Sequence, residues 1–263
     1  MTIKYTVLGL LIYAAMLGYL LAFIASLAKM KRFGKGLYVL GFVLAAAAFV
    51  YRWIEVGHSP MQRLFDVFLC MGLIYPLTLF CRRFLRVAAE PADMLLGFIV
   101  LFPAGFIFSD RPIPLPPALQ SWLFGPHVTV YLLAYIIMAK ASMQAVLQLV
   151  GKKGRAEDDF VSYELGTYRL VRLGFVPLTL GLLLGSYWGK LAWGDYWNWD
   201  PKEMCSMATW LLYVGYFHFR YVSRSKYPRI NSLSALTGLA GIVITLLWVN
   251  LARIFAGLHN YAS

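Results

Sequence analysis

Eight stretches of this chain are too long and too apolar for the interior of a soluble domain. A membrane-spanning helix needs about 20 mainly apolar residues, with a range of about 17–25. The 263-residue sequence offers such stretches at about 6–28, 36–53, 64–80, 92–108, 127–150, 173–189, 203–222 and 232–256. Backbone amides in lipid must be satisfied within the segment, so stretches of this kind become helices. Composition agrees: 60% of the residues are hydrophobic and 14% are charged, against about 25% charged in soluble domains. The expected fold is an all-α polytopic transmembrane bundle of about eight spans, forming a single domain over 1–263. A disordered chain, a disulfide scaffold and a secreted repeat protein are excluded. The first segment follows only Met1–Tyr5, with no basic leader and no small-residue cleavage site. It therefore reads as a span rather than a removable signal peptide.

The net charge of +12 is distributed unevenly. The loops after the first, third, fifth and seventh stretches (29–35, 81–91, 151–172 and 220–229) hold 16 of the 24 Lys and Arg residues. Seven lie on the other side: Lys4, Arg52, Arg63, Arg111, Lys190, Lys202 and Arg253; Lys140 lies within a span. Basic loops stay cytoplasmic, so both termini are expected outside. The charge is then a topology signal, with anionic lipid contact secondary, and nucleic acid is not an expected partner. The longest basic loop carries Glu157, Asp158 and Asp159 followed by Phe160, Leu165 and Val171, a pattern that suggests an interfacial helix. Arg111 to Pro117 is a proline-rich outside loop that cannot be helical throughout. Cys70, Cys81 and Cys205 show neither C-x-x-C nor metal spacing and read as apolar filler.

Four histidines are placed unevenly. His58 lies outside after the second span, His127 at the outer start of the fifth and His259 just beyond the outer end of the eighth. His218 lies near the cytoplasmic end of the seventh. Imidazole is a common metal and haem ligand, although a single interfacial histidine is equally read as a tolerated amphipathic residue. Two outer-rim histidines favour a shared ligand.

The densest feature is the loop at about 189–203, where Trp193, Tyr196, Trp197 and Trp199 fall within seven residues. Interfacial aromatics ordinarily form a belt spread over many helix ends. Four in one loop bounded by Gly194 and Pro201 instead make an apolar platform with N–H and O–H handles, suited to a large planar ligand. Asp200 and Pro201 also suit a helix start, as N-cap and first helical residue. Arg52, Arg63, Arg111 and Lys202 are the outside cations available to a ligand's carboxylates, or equally to lipid phosphate.

The run W-G-x-Y-W-x-W-D-P-K-E, Trp193 to Glu203, resembles the tryptophan-rich WWD signature of haem-handling proteins of cytochrome c biogenesis, most closely the CcsA (ResC) type. Three further stretches are similar to that family. They are RWIEVGHSP from Arg52 with RLFD from Arg63, LQSWLFGPHV from Leu119, and WVN from Trp248 with GLHNY from Gly257. The similarity runs from about residue 50 to the end. Asp66 and Asn260 depart from the family's usual Glu and Ser.

The resemblance implies haem b cradled by Trp193, Tyr196, Trp197, Trp199 and Asp200, with His127 and His259 as axial ligands of the iron. It implies a second, inner haem position at His218, whose pairing histidine is expected from a separate CcsB (ResB)-type membrane protein. The implied activity is to carry haem across the membrane and present it for thioether attachment to an apocytochrome c C-x-x-C-H segment. The chain would then be the haem-binding subunit of a cytochrome c synthase; no catalytic residue is assigned. The implied location is a bacterial cytoplasmic or thylakoid membrane, with the tryptophan loop facing outside or the lumen. A haem-delivery protein of the other maturation system (CcmC-like), which hands haem to a carrier without attaching it, is the alternative. A transporter of another amphipathic solute, independent of His127 and His259, is a third reading.

Overall fold

The computed structural model describes residues 3–151, 159–223 and 225–248. Its elements are α1 (Val7–Leu27), α2 (Lys31–Val56), α3 (Leu64–Met71), α4 (Tyr75–Phe84) and α5 (Glu90–Phe106), then α6 (Phe124–Val150), α7 (Tyr163–Trp193), α8 (Pro201–Ser223) and α9 (Pro228–Val243). A π-helical turn, Ile244–Trp248, continues α9. The helices fall into two compact units, α1–α5 in the first and α6–α9 with Leu85–Ala88 in the second.

The chain is a helical membrane bundle. Among the described residues, five helices, α1, α2, α6, α7 and α9 with its π turn, are long and apolar enough to cross a bilayer, and the bent pair α3–α4, counted as one span, makes six. Two of the expected spans fall short of that standard. Helix α5 has 17 residues, about 25 Å at 1.5 Å per residue, against a hydrocarbon core of about 30 Å. Helix α8 has the length, at 23 residues, but its tyrosines, His218 and Arg220 dilute the apolar content.

In the first unit, α1 packs on α2 and α5, and α3 packs on α5. Helix α1 starts where the Thr6 hydroxyl accepts the Gly9 N–H at 3.1 Å, an N-cap. Its lipid-facing stripe is Leu10, Leu17 and Ile24, all more than half exposed. The expected third span at 64–80 is broken, with a 42° bend between α3 and α4. Pro76 explains the break, because it has no N–H to donate to the carbonyl four residues back, Gly72. That carbonyl is taken instead by the buried Tyr19 hydroxyl at 2.8 Å.

The same unit overturns the reading of Arg52 as an outside cation for lipid or ligand. Arg52 is 1% exposed and its Nε donates to Asp66 Oδ1 at 2.9 Å. Its Nη1 donates to Glu55 at 2.8 Å and to the Asp110 carbonyl at 2.7 Å. Phe65 lies beneath the guanidinium, 5.2 Å from ring centroid to Cζ. An arginine within the apolar layer is stable only when its donors are matched in this way. Lys4 is buried too and donates to the Gly105 carbonyl at 3.1 Å. Burial lowers its pKa, an effect that the Asp110 carboxylate opposes.

In the second unit, α6 packs along α7 and also against α9, which packs on α8. Helix α7 starts ten residues before the expected span at 173, with Ser162 as N-cap accepting the Leu165 N–H at 3.3 Å. Leu165 and Val171 are therefore part of α7 and not of a separate interfacial helix; Glu157 and Asp158 lie outside the described residues. The basic residues that disguised this start are accommodated by the helix. Arg169 donates to the Leu85 carbonyl at 2.6 Å, and Arg172 lies 5.5 Å from the Tyr168 ring. At the same end Arg220 makes two bonds to Glu164, at 2.8 and 3.2 Å, and Asn231 donates to Glu164 at 3.0 Å.

Candidate functional site

The second unit gathers the site residues at one end, where α6 begins, α7 ends and α8 begins. Helix α7 stops at Trp193 because Gly194 takes the left-handed conformation (φ 94°) and its N–H returns to the Lys190 carbonyl at 3.2 Å. The loop then folds back over the helix end. The Ser186 hydroxyl donates to the Tyr196 carbonyl at 2.9 Å, and the Lys190 ammonium lies 5.6 Å from the Tyr196 ring centroid. Trp197 and Trp199 meet edge to face, with centroids 6.2 Å apart at 86°. Trp199 has φ +57°, a left-handed backbone that a bulky residue adopts only under local constraint.

The constraint comes from the start of α8. Asp200 is buried and its Oδ1 accepts the Lys202 N–H at 2.9 Å. Glu203, three residues on, reaches back with Oε2 to accept the Asn198 N–H at 2.8 Å and the Asp200 N–H at 3.2 Å. With Pro201 as the first helical residue, the run D-P-K-E is a capping box. This reciprocal cap holds the tryptophan loop at Asn198 and Asp200, while Tyr196 and Trp199 stay more than half exposed. An exposed aromatic surface anchored by the α8 cap is the result.

His127 stands on the first turn of α6, facing α7. Its Nδ1 is 3.0 Å from the Gly181 carbonyl oxygen. Its ring meets Tyr131 at 5.1 Å, edge to face, and Trp188 at 5.7 Å. Trp188 in turn contacts Trp193 at 5.2 Å. The imidazole is thus joined to the tryptophan loop through one intervening indole. Sequence reasoning passed over Trp188, which is 2% exposed. Its signal was present: it lies five residues before Trp193, within the apolar run of α7.

Not every predicted residue comes to this end. His218 is 17 residues along α8 from Pro201, about 26 Å by helix rise, and it is exposed. Its neighbourhood in the chain is the Arg220–Glu164–Asn231 end of the unit. His259 lies outside the described residues, as do Asn250 and Asn260. His58 belongs to the first unit, where its Nδ1 lies 3.0 Å from the Ser59 carbonyl. Among the described residues, no group of three or more His, Cys, Asp or Glu is arranged to hold a metal ion. The three cysteines are unbridged.

Comparison with known proteins identifies the family. The family model "Cytochrome C assembly protein" matches residues 9–256. The chain is 32% identical over 233 residues to a cytochrome c biogenesis protein CcsA of Chlamydomonas reinhardtii, covering 83% of this chain and 65% of that protein. It is 32% identical over 257 residues to the CcsA of Synechococcus sp. (strain CC9902), covering 83% of each. Among solved structures, the cytochrome c haem lyase CcmF has a similar fold, with a TM-score of 0.68 at 20% identity. That likeness covers 94% of this chain and 48% of CcmF, so the chain spans about half of that protein's length. The match across nearly the whole chain shows that it belongs to the cytochrome c assembly protein family, as a CcsA-type cytochrome c biogenesis protein.

Proposed function

We propose that the chain handles haem during cytochrome c maturation, holding it at the tryptophan loop and presenting it for attachment to an apocytochrome c. The observation that carries this reading is the pairing of His127 with the aromatic surface at one end of the second unit. The Nδ1 contact with the Gly181 carbonyl is that of an imidazole prepared as a ligand, since ligating histidines usually donate their other N–H to a carbonyl or carboxylate. The exposed Tyr196 and Trp199 supply the apolar area that a porphyrin face requires.

The residues fit haem b as substrate. His127, with His259, would ligate the iron, and Trp193, Tyr196, Trp197 and Trp199 would pack on the ring. Asp200 acts through the cap that sets the loop. Haem brings the vinyl groups that cysteine thiols attack. The chain's residues orient the ring, exclude water from one face and hold the iron, and positioning of this kind is a large part of such catalysis. His218 marks an inner position, completed by a CcsB-type partner. Crossings by α5 and α8 bring the spans to eight and set both termini outside, with the basic ends of the helices inside.

The test is the absorption spectrum of the purified protein. A Soret band in the wild type that is lost in the His127→Ala/His259→Ala protein supports the reading. An identical band in both would refute the outer site. Coexpression with a CcsB-type partner in cells lacking other assembly factors separates attachment from delivery, because a delivery protein restores no covalent cytochrome c there.

A further inference from the structure

The surface of α7 that receives His127 is shaped around the imidazole. Gly181, Gly185 and Trp188 lie on successive turns of α7 that face α6. A Cβ added at Gly185 would fall 2.6 Å from His127 Cε1, 3.2 Å from Nδ1 and 3.5 Å from Nε2. The ring therefore lies directly on the backbone of residue 185, at a distance no side chain permits. One turn earlier the Gly181 carbonyl meets Nδ1 at 3.0 Å. A carbonyl oxygen only accepts, so a contact of this length puts the proton on Nδ1 and makes Nε2 the nitrogen that carries the lone pair. Trp188 is buried against the ring, with centroids 5.7 Å apart at 37°, and Tyr131 closes the side at 86°.

We propose that Gly181, Gly185 and Trp188 are positioning residues that fix the tautomer and rotamer of His127 before haem arrives, so that Nε2 is the ligating atom. The inference rests on the haem reading of His127. The Gly181 carbonyl selects the Nδ1–H tautomer and raises the basicity of Nε2. Gly185 admits the ring to that carbonyl. Trp188 prevents the ring from rotating away, and it passes the alignment to Trp193 at 5.2 Å. The closest approach of Gly185 is to Cε1, the ring carbon between the two nitrogens, so the seat bears on the ring while Nδ1 is committed to the Gly181 carbonyl. A free imidazole in water divides its proton between both nitrogens, and a seated one does not.

The first measurement needs no haem. The full-length protein, labelled with nitrogen-15 histidine in detergent micelles, is compared with His127→Ala to assign the resonance. His127 is expected to show a protonated Nδ1 and an unprotonated Nε2 at neutral pH. An Nε2–H tautomer would overturn the proposal. The second measurement is haem titration of Gly185→Ala, in which the added methyl displaces the ring. Affinity should fall on the order of 10-fold, as for other losses of ligand support, with a weakened low-spin spectrum. Wild-type affinity and tautomer in Gly185→Ala would also overturn it. If Gly185→Ala does not fold, His127→Gly with added imidazole decides. Recovery of the low-spin spectrum shows that the seat itself holds the ring, and no recovery at saturating imidazole contradicts that. The two readings fail differently. A haem spectrum indifferent to His127→Ala removes the ligand role, whereas a His127-dependent spectrum with the wrong tautomer removes only the seat.

Discussion

Removing the Asp66 carboxylate should destabilise the first unit strongly and leave haem binding by the folded protein intact. Asp66 is 3% exposed at its side chain and accepts Arg52 Nε at 2.9 Å, with Arg52 itself 1% exposed. Taking one partner from a buried pair costs about 3–5 kcal/mol, because the other charge remains buried. Arg52 keeps Glu55 at 2.8 Å and the Asp110 carbonyl at 2.7 Å, which places Asp66→Ala at the lower end, about 3 kcal/mol. The weaker contact from the Arg63 N–H to Asp66 Oδ2, 3.4 Å long, adds a few tenths at most. Removing both charges with Arg52→Met/Asp66→Leu should cost less than the single change, on the order of 1 kcal/mol, since no charge is then left unmatched. Reversible unfolding in mixed detergent micelles measures both variants, and the Soret absorbance per folded molecule is read alongside. Asp66 belongs to the first unit and His127 to the second. An Asp66→Ala protein as stable as wild type would refute the reasoning, as would one that loses its haem signal while its unfolding midpoint holds.

Four further outcomes follow from particular contacts. Among the described residues, Tyr216 and Tyr213 each bury a hydroxyl without a hydrogen-bond partner, so Tyr216→Phe and Tyr213→Phe should leave stability unchanged or raise it by up to about 1 kcal/mol in the same assay. Glu164→Gln should lower stability by about 1–3 kcal/mol, because it weakens two Arg220 bonds and leaves that guanidinium, 15% exposed, without its counter-charge. Asp200→Asn should keep both the α8 cap and haem affinity, whereas Asp200→Ala should lose about 1 kcal/mol of stability; a haem defect in Asp200→Asn would assign Asp200 a direct contact. Trp199→Gly should relieve the left-handed backbone, worth roughly 1–2 kcal/mol, yet weaken haem binding, which titration of the folded variant reads directly.

Much of this was legible along the chain because helices in lipid report themselves locally. The apolar runs located α1, α5, α6 and α8 to within three residues, but they merged α3 with α4 and missed the start of α7. There Ser162 caps the helix, but Arg169 and Arg172 made its first turns look like loop. The bond from Arg169 to Leu85 and the ring of Tyr168 under Arg172 are tertiary facts that no local window carries. The bend between α3 and α4 was written in Pro76, yet a continuous apolar run concealed it. In the site, Trp193 to Glu203 declared itself by density, and the capping role of Asp200 and Pro201 by residue type. Trp188 did not, since one tryptophan within a span is indistinguishable from packing until α6 lays His127 beside it. Arg52 and Asp66 are 14 residues apart across a loop, and their pairing depends on how α2 meets α3. A cation near a span end is read as interfacial unless its partner is known.

The most direct measurement of the haem reading is the absorption spectrum of the purified full-length protein beside that of His127→Ala, at matched folded concentration. The expected result is a Soret band with low-spin character in the wild type that is shifted or lost without His127 and partly restored by added imidazole. A wild type that purifies without a Soret band and takes up no haem on titration would contradict the central claim. So would a His127→Ala protein with an unchanged spectrum.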